Sequence, residues 1–314
     1  MKPKGLILSI LNSYSIIFFS DKLLFALILL LISFFDIFSG VCGLTAVITT
    51  NLAADFLGFD KHKIQKDYYG FNSVLLGVGI GLQMEISWIV ILLVMVASVM
   101  TLFVLVTLER VLDKYYVPYL SLPLLITFWT ICLASREIPL LAISSRDIYF
   151  VNYIYGLGGE QILSVYKWWN TLGFANSLRT YFLSLGGIFF QHKLLSGIVL
   201  SVGLLYYSRI GFTLSLLGFY IAYFFYQLIG VNVTFLPFAD IGINFILTSI
   251  AIGGYFIIPS KSSYVWTIVL IPVTTLVTYA VHQFLFPWGL VVYSLPFNIM
   301  VIVFLIVLKS RVYN

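Results

Sequence analysis

Charge is what this chain has least of. Of its 314 residues only 9% are Asp, Glu, Lys or Arg, while 61% are hydrophobic. A soluble domain carries about a quarter charged residues, so this chain cannot cover a folded surface in water. A disordered chain is excluded on the same ground. The 17 basic and 12 acidic residues leave a formal charge of +5. With so few charges the excess does not suggest nucleic acid as a partner; on a membrane protein it reports orientation. Cysteine is nearly absent. Cys42 and Cys132 both sit in apolar runs and match no metal or redox spacing, so they read as small core residues. The three histidines, His62, His192 and His282, fall in separate segments, and no HExxH, GxSxG or Cys-rich motif occurs. No catalytic residue, metal site or cofactor is expected.

Long apolar runs fill the space that charge leaves. No charged residue occurs between Glu85 and Glu109, Lys114 and Arg136, Arg209 and Asp240, or Asp240 and Lys261. Lys261 to Lys309 is charge-free for long enough to cross a bilayer twice, with a break at Phe286-Pro287-Trp288. Shorter runs lie at 23–35, 37–54 and 68–84. A hydrocarbon core of about 30 Å takes about 20 residues of helix. The runs are apolar on all sides, unlike barrel strands, which alternate. The sequence thus predicts an all-α integral membrane protein with about ten transmembrane helices. The apolar N-terminal stretch lacks a small-residue cleavage site and is read as retained.

The chain also repeats itself. Phe18-Phe19-Ser20-Asp21-Lys22-Leu23-Leu24 returns as Phe189-Phe190-Gln191-His192-Lys193-Leu194-Leu195, 171 positions later. Gly70-Phe71-Asn72-Ser73-Val74-Leu75 returns as Gly242-Ile243-Asn244-Phe245-Ile246-Leu247 after 172, and Ser121-Leu122-Pro123 as Ser294-Leu295-Pro296 after 173. The order and near-constant offset divide the chain into halves, 1–150 and 151–314. About ten crossings make about five per half, and an odd number turns the second half upside down. The basic residues agree. Lys61, Lys63 and Lys66 crowd one first-half loop and Arg110 and Lys114 another, while the equivalent loops near 231–239 and 284–288 carry none. First-half turns near 40–43 and 83–85 have no Lys or Arg, but their counterparts carry Arg209 and Lys261. Positive-inside then places both termini in the cytoplasm and Phe235 on the opposite face; Arg136 and Arg146, in the joining segment, fit this less well. Stretches 8–21 and 176–191 are too short or too polar to cross. They either dip into the membrane as half-helices or lie flat as interfacial amphipathic helices.

Inverted repeats place a site near mid-membrane at the interface of the halves. Of the acids, Asp55, Glu85 and Asp240 fall near span ends. Asp36 lies deep enough that an ionised form would cost about 2.5 kcal/mol or more without a partner; snorkelling and function are both open for it. His282 is open between a structural and a functional role. The paired motifs offer aromatics, hydroxyls and amides: Phe19 with Phe190, Ser121 with Ser294, Asn72 with Asn244, and Leu75 with Leu247. Pro123 and Pro296 follow the serines by two and are expected to free backbone carbonyls inside a span. Each pair alone is also explained by helix packing. As a set they suit passive movement of a small neutral polar solute, without the mid-span carboxylates of an ion-coupled carrier.

These segments resemble the urea transporter family of bacteria and vertebrates. Tyr69-Gly70-Phe71-Asn72-Ser73-Val74-Leu75-Leu76-Gly77 is similar to its YGFNxVLxG, and Val117-Pro118-Tyr119-Leu120-Ser121-Leu122-Pro123 to its PxLTLP. Ser294-Leu295-Pro296-Phe297-Asn298 is similar to its TLPFN, and Phe189-Phe190-Gln191-His192-Lys193-Leu194-Leu195-Ser196-Gly197 to its FFQxNPLSG. The resemblance implies a urea-selective channel of two inverted five-span repeats, each with a tilted half-helix, one pore per protomer and a homotrimer. It implies a pore lined by Phe19, Phe71, Leu75 and Ser121 in the first repeat and by Phe190, Ile243, Leu247 and Ser294 in the second. The family's Gln, and its Gln or Glu, three residues before each slot phenylalanine are here Ile16 and Gly187. Ile243 stands where the family has phenylalanine, and serine twice replaces threonine.

The expectation is therefore a passive urea channel of a bacterial inner membrane, partnered by lipid and its own copies and needing no cofactor. The alternatives are a channel of the same fold for another small neutral solute, such as ammonia or a short amide, and an integral membrane enzyme centred on Asp36 or His282.

Overall fold

A computed structural model describes residues 3–65, 69–144, 150–233 and 237–310. Lys66, Arg146 and Phe235 lie outside the described residues. Among those described the backbone is almost wholly helical, without strands. The helices are α1 (Pro3–Ser15), α2 (Leu23–Ser33), α3 (Ile37–Phe56), α4 (Lys61–Gln65), α5 (Phe71–Gln83), α6 (Trp88–Leu112) and α7 (Leu122–Ala134). They continue with α8 (Phe150–Asn170), α9 (Asn176–Gly187), α10 (Leu194–Tyr207), α11 (Arg209–Leu228), α12 (Phe238–Ile250), α13 (Lys261–Leu285) and α14 (Leu295–Ser310).

Four described helical segments are long and apolar enough to cross a membrane: Ile37–Phe56, Trp88–Tyr115, Arg209–Leu228 and Lys261–Trp288. The 25 residues of α6 reach about 37 Å at 1.5 Å per residue, more than a hydrocarbon core. Gly5–Phe18 and Leu23–Ser33 make a fifth if their 87° bend is counted as one broken span. The other expected crossings fall on shorter apolar helices of 10–17 residues, α5, α7, α10, α12 and α14 among them.

Helix starts explain part of the pattern. Asp36 is buried, yet its carboxylate accepts the Ser39 amide at 2.8 Å and so caps α3. Ser208 caps α11 through the Gly211 amide at 3.0 Å, 172 positions further on. Ser87 and Ser260, 173 apart, cap α6 and α13. Left-handed residues recur at the same spacing. Phe19 (φ 57°) matches Phe190 (59°), Gly58 (75°) matches Gly230 (77°), Tyr116 (53°) matches Gly289 (59°), and Leu120 (48°) matches Tyr293 (44°). An L-residue is held there only where its surroundings require it. Gly159, within α8 in the joining segment, is the one described left-handed residue without a counterpart.

Small residues let the helices close in. A Cβ on Gly81 of α5 would stand 2.8 Å from Ser39 Cα and Cys42 Cβ of α3, the close backbone approach typical of membrane bundles. The ends of α1 and α9 are buried: Tyr14 and Phe18 near one, Tyr181 and Leu185 in the other.

Candidate functional site

Pro123 and Pro296 do not interrupt spans, as the sequence suggests they should. Each lies in the first turn of its helix, α7 or α14, where a missing N–H costs nothing because that position has no intrahelical acceptor. Ser121 and Ser294 stand just before these helices, so two helix N-termini, with their positive dipole ends, meet at the serines. The hydroxyls are in contact, Oγ to Oγ 2.7 Å, and both residues are buried.

Asparagines build this junction. Asn298 accepts the Ser121 amide on Oδ1 at 3.0 Å and donates from Nδ2 to Ser121 Oγ at 2.9 Å and to the Ser294 carbonyl at 2.6 Å. Asn244 accepts the Phe297 amide at 3.0 Å and donates to the Tyr293 carbonyl at 2.7 Å. Asn72 donates to the Leu120 carbonyl at 3.2 Å. The left-handed residues before each serine, Leu120 and Tyr293, are thus tied by their carbonyls to equivalent asparagines. Two hydroxyls carry two protons, and their mutual bond uses one. Ser121 Oγ already receives an N–H from Asn298. One serine O–H therefore remains to donate elsewhere.

The junction borders a cavity of ≈ 280 Å³. The ten residues that the family resemblance assigns to the pore line it: Ile16, Phe19, Phe71, Leu75, Ser121, Gly187, Phe190, Ile243, Leu247 and Ser294; the paired Asn72 and Asn244 do not. They come from both halves of the chain. Phe19 stacks on Tyr255 at 4.4 Å and meets Phe256 edge-on at 5.9 Å. Phe190 lies 5.6 Å from Phe128 and 5.4 Å from Tyr293, which touch each other at 5.1 Å. An aromatic cluster thus forms around each slot phenylalanine. Ile16 and Gly187 border the cavity without offering a polar side chain.

The lining also holds residues that sequence reasoning passed over. Tyr293 and Leu120 each precede a paired serine, so the repeat itself carried their signal. Tyr293 Oη accepts from Gln83 Nε2 at 2.7 Å. Tyr255 had no such signal, because its partner Phe19 lies far off in the chain. The charge-free lining expected from the motifs is incomplete, since Glu109 and Asp113 reach the cavity beside Tyr119. Glu109 is 2.7 Å from Lys63. That hydrogen bond holds the Lys63 ammonium above its ordinary pKa.

Of the remaining candidates, His282 is half-buried with its ring 6.0 Å from Phe286, and neither it nor Asp36 reaches the cavity. Cys42 and Cys132 are free thiols. Among the described residues no three His, Cys, Asp or Glu side chains stand close enough to hold a metal ion.

No curated protein matches the chain. The model of the urea transporter family matches residues 7–309, nearly the full length and both halves of the cavity wall: the chain belongs to the urea transporter family.

Proposed function

We propose that the chain conducts urea passively across a membrane through this cavity. Residues 1–150 and 151–314 are inverted repeats, and α1 and α9 enter as half-helices whose ends face each other. The observation that carries this reading is the contact between Ser121 and Ser294. Residues at equivalent repeat positions touch one another only on the axis relating the repeats, and the residues matching the family motifs surround that contact.

The chemistry suits a small neutral amide. The spare serine proton donates to a carbonyl oxygen, and the convergent helix N-termini favour its partial negative charge. Aromatic faces on either side hold a flat solute while excluding a hydrated ion. Each hydrogen bond restored at the junction offsets part of the hydration the solute leaves behind, where an unmade one costs about 1–3 kcal/mol. Ions meet no charged ring at the serines, so movement follows the solute gradient alone. The protomer carries its own pore, sits in a homotrimer in a bacterial inner membrane, and keeps both termini in the cytoplasm. No cofactor takes part.

A second reading is a channel of the same fold for ammonia or a short amide. Ile16 and Gly187 favour it, because the family's polar side chains are missing at both. Stopped-flow flux in proteoliposomes separates the two. Urea flux well above empty liposomes, and above that of acetamide, formamide and ammonia, supports the first reading. Flux of the other solutes with none of urea overturns it.

A further inference from the structure

Gly187 borders the cavity, but the room a side chain would need there is already filled. A Cβ on Gly187 would lie 2.7 Å from His192 Nε2, 2.9 Å from His192 Cδ2 and 3.3 Å from Ile243 Cδ1. The imidazole is therefore the next layer of wall behind the glycine. A carboxylate lies beside it: His192 Nε2 stands 2.7 Å from Asp240 Oδ1, without the alignment of a hydrogen bond. Asp240 belongs to the first turn of α12, three residues before the cavity-lining Ile243, so this carboxylate and that part of the wall share a helix. The arrangement is asymmetric. In the first half the equivalent wall is the Ile16 side chain itself, and the position matching His192 is the exposed Asp21. One half fills its wall with a residue at the slot position; the other has glycine there, with an imidazole from the next loop packed behind it.

We propose that His192, seated against Gly187 and packed beside Asp240, sets the bore of the cavity at its second-half end and so the size of solute admitted. This rests on the reading of the cavity as the solute path. Gly187 and His192 then form one unit, since a larger residue at 187 fits only if the imidazole leaves, and removing the imidazole opens space that a larger residue at 187 can refill.

The test is the ratio of acetamide flux to urea flux in proteoliposomes, with assembly of each variant checked by size-exclusion chromatography. His192→Ala is expected to raise that ratio about tenfold or more, the scale on which a pocket discriminates one methyl group. Asp240→Ala should move it the same way, and His192→Gln, long enough to reach Asp240, should hold it near the wild-type value. Gly187→Ala alone should lower urea flux, and the double change Gly187→Ala, His192→Ala should restore it. A wild-type ratio in assembled His192→Ala, with Gly187→Ala equally harmful whether or not His192 is present, overturns the proposal while the solute path stands. A wild-type protein that conducts neither solute overturns both.

Discussion

Removing the hydroxyls at Ser121 and Ser294 should slow urea without unfolding the protein, and the two positions should differ. Among the described residues Ser294 Oγ bonds only to Ser121 Oγ, at 2.7 Å. The other contact in the junction at this residue is its backbone carbonyl, which accepts from Asn298 at 2.6 Å and survives substitution. Ser294→Ala therefore removes one hydroxyl that the solute would touch, leaves the Ser121 O–H as the spare donor, and leaves every amide satisfied. Ser121→Ala also strips Asn298 Nδ2 of its 2.9 Å acceptor, but that amide keeps the Ser294 carbonyl. A net hydrogen bond is worth about 1 kcal/mol, so Ser294→Ala should reduce urea permeability about fivefold with little change in Tm. Ser121→Ala should reduce it similarly and also cost about 1 kcal/mol of stability. Asn298→Leu should be worst, because it leaves the buried Ser121 amide without its 3.0 Å acceptor. Serine to threonine at either position keeps the hydroxyl and should keep flux. The assay is stopped-flow light scattering of proteoliposomes against an inward urea gradient, with Tm measured in the same detergent. If the double change Ser121→Ala, Ser294→Ala conducts urea as fast as the wild type or faster, the hydroxyl pair does not contact the solute and the reasoning fails.

Three other outcomes are expected. Urea flux should be indifferent to sodium and proton gradients and carry no current; a current that scales with urea concentration would contradict passive movement. Single cysteines at Lys63 and Lys261 should react with an impermeant maleimide from one side of the membrane, and one at Asn232 from the other; labelling of all three from one face would contradict the inverted arrangement. Gly81→Leu should destabilise the α3–α5 contact by about 1–3 kcal/mol, since its Cβ would press on Ser39 Cα at 2.8 Å; an unchanged Tm would show that these helices can separate freely.

The helices were legible because the runs that form them are free of charge. Phe19, Phe190, Leu75, Leu247, Ser121 and Ser294 were legible because they recur at fixed spacing, whereas Ile16, Phe71, Gly187 and Ile243 came only through the family resemblance. What escaped depends on geometry that no local pattern encodes. Helix lengths did: α5 and α7 have 13 residues each, and left-handed Leu120 sets where α7 can begin. Asp36 looked like a costly membrane charge because its compensation, the Ser39 amide, appears only once a helix start is placed there. The prolines looked like breaks within spans for the same reason. Phe19 and Tyr255 stack across most of the chain's length, and His192 occupies the volume beside Gly187. Neither contact leaves a trace in spacing: the first follows from how the halves meet, the second from the loop after α9, which carries the His192 ring back onto Gly187.

Everything proposed for the cavity requires that urea pass the Ser121–Ser294 junction. The most direct check is a chain with Ser294→Cys as its only thiol, Cys42 and Cys132 both replaced by alanine, reconstituted and treated with a small methanethiosulfonate reagent. Once mass spectrometry shows full modification, urea flux should fall to the level of empty liposomes, and saturating urea should slow the modification. Undiminished flux through a fully modified protein would contradict the claim.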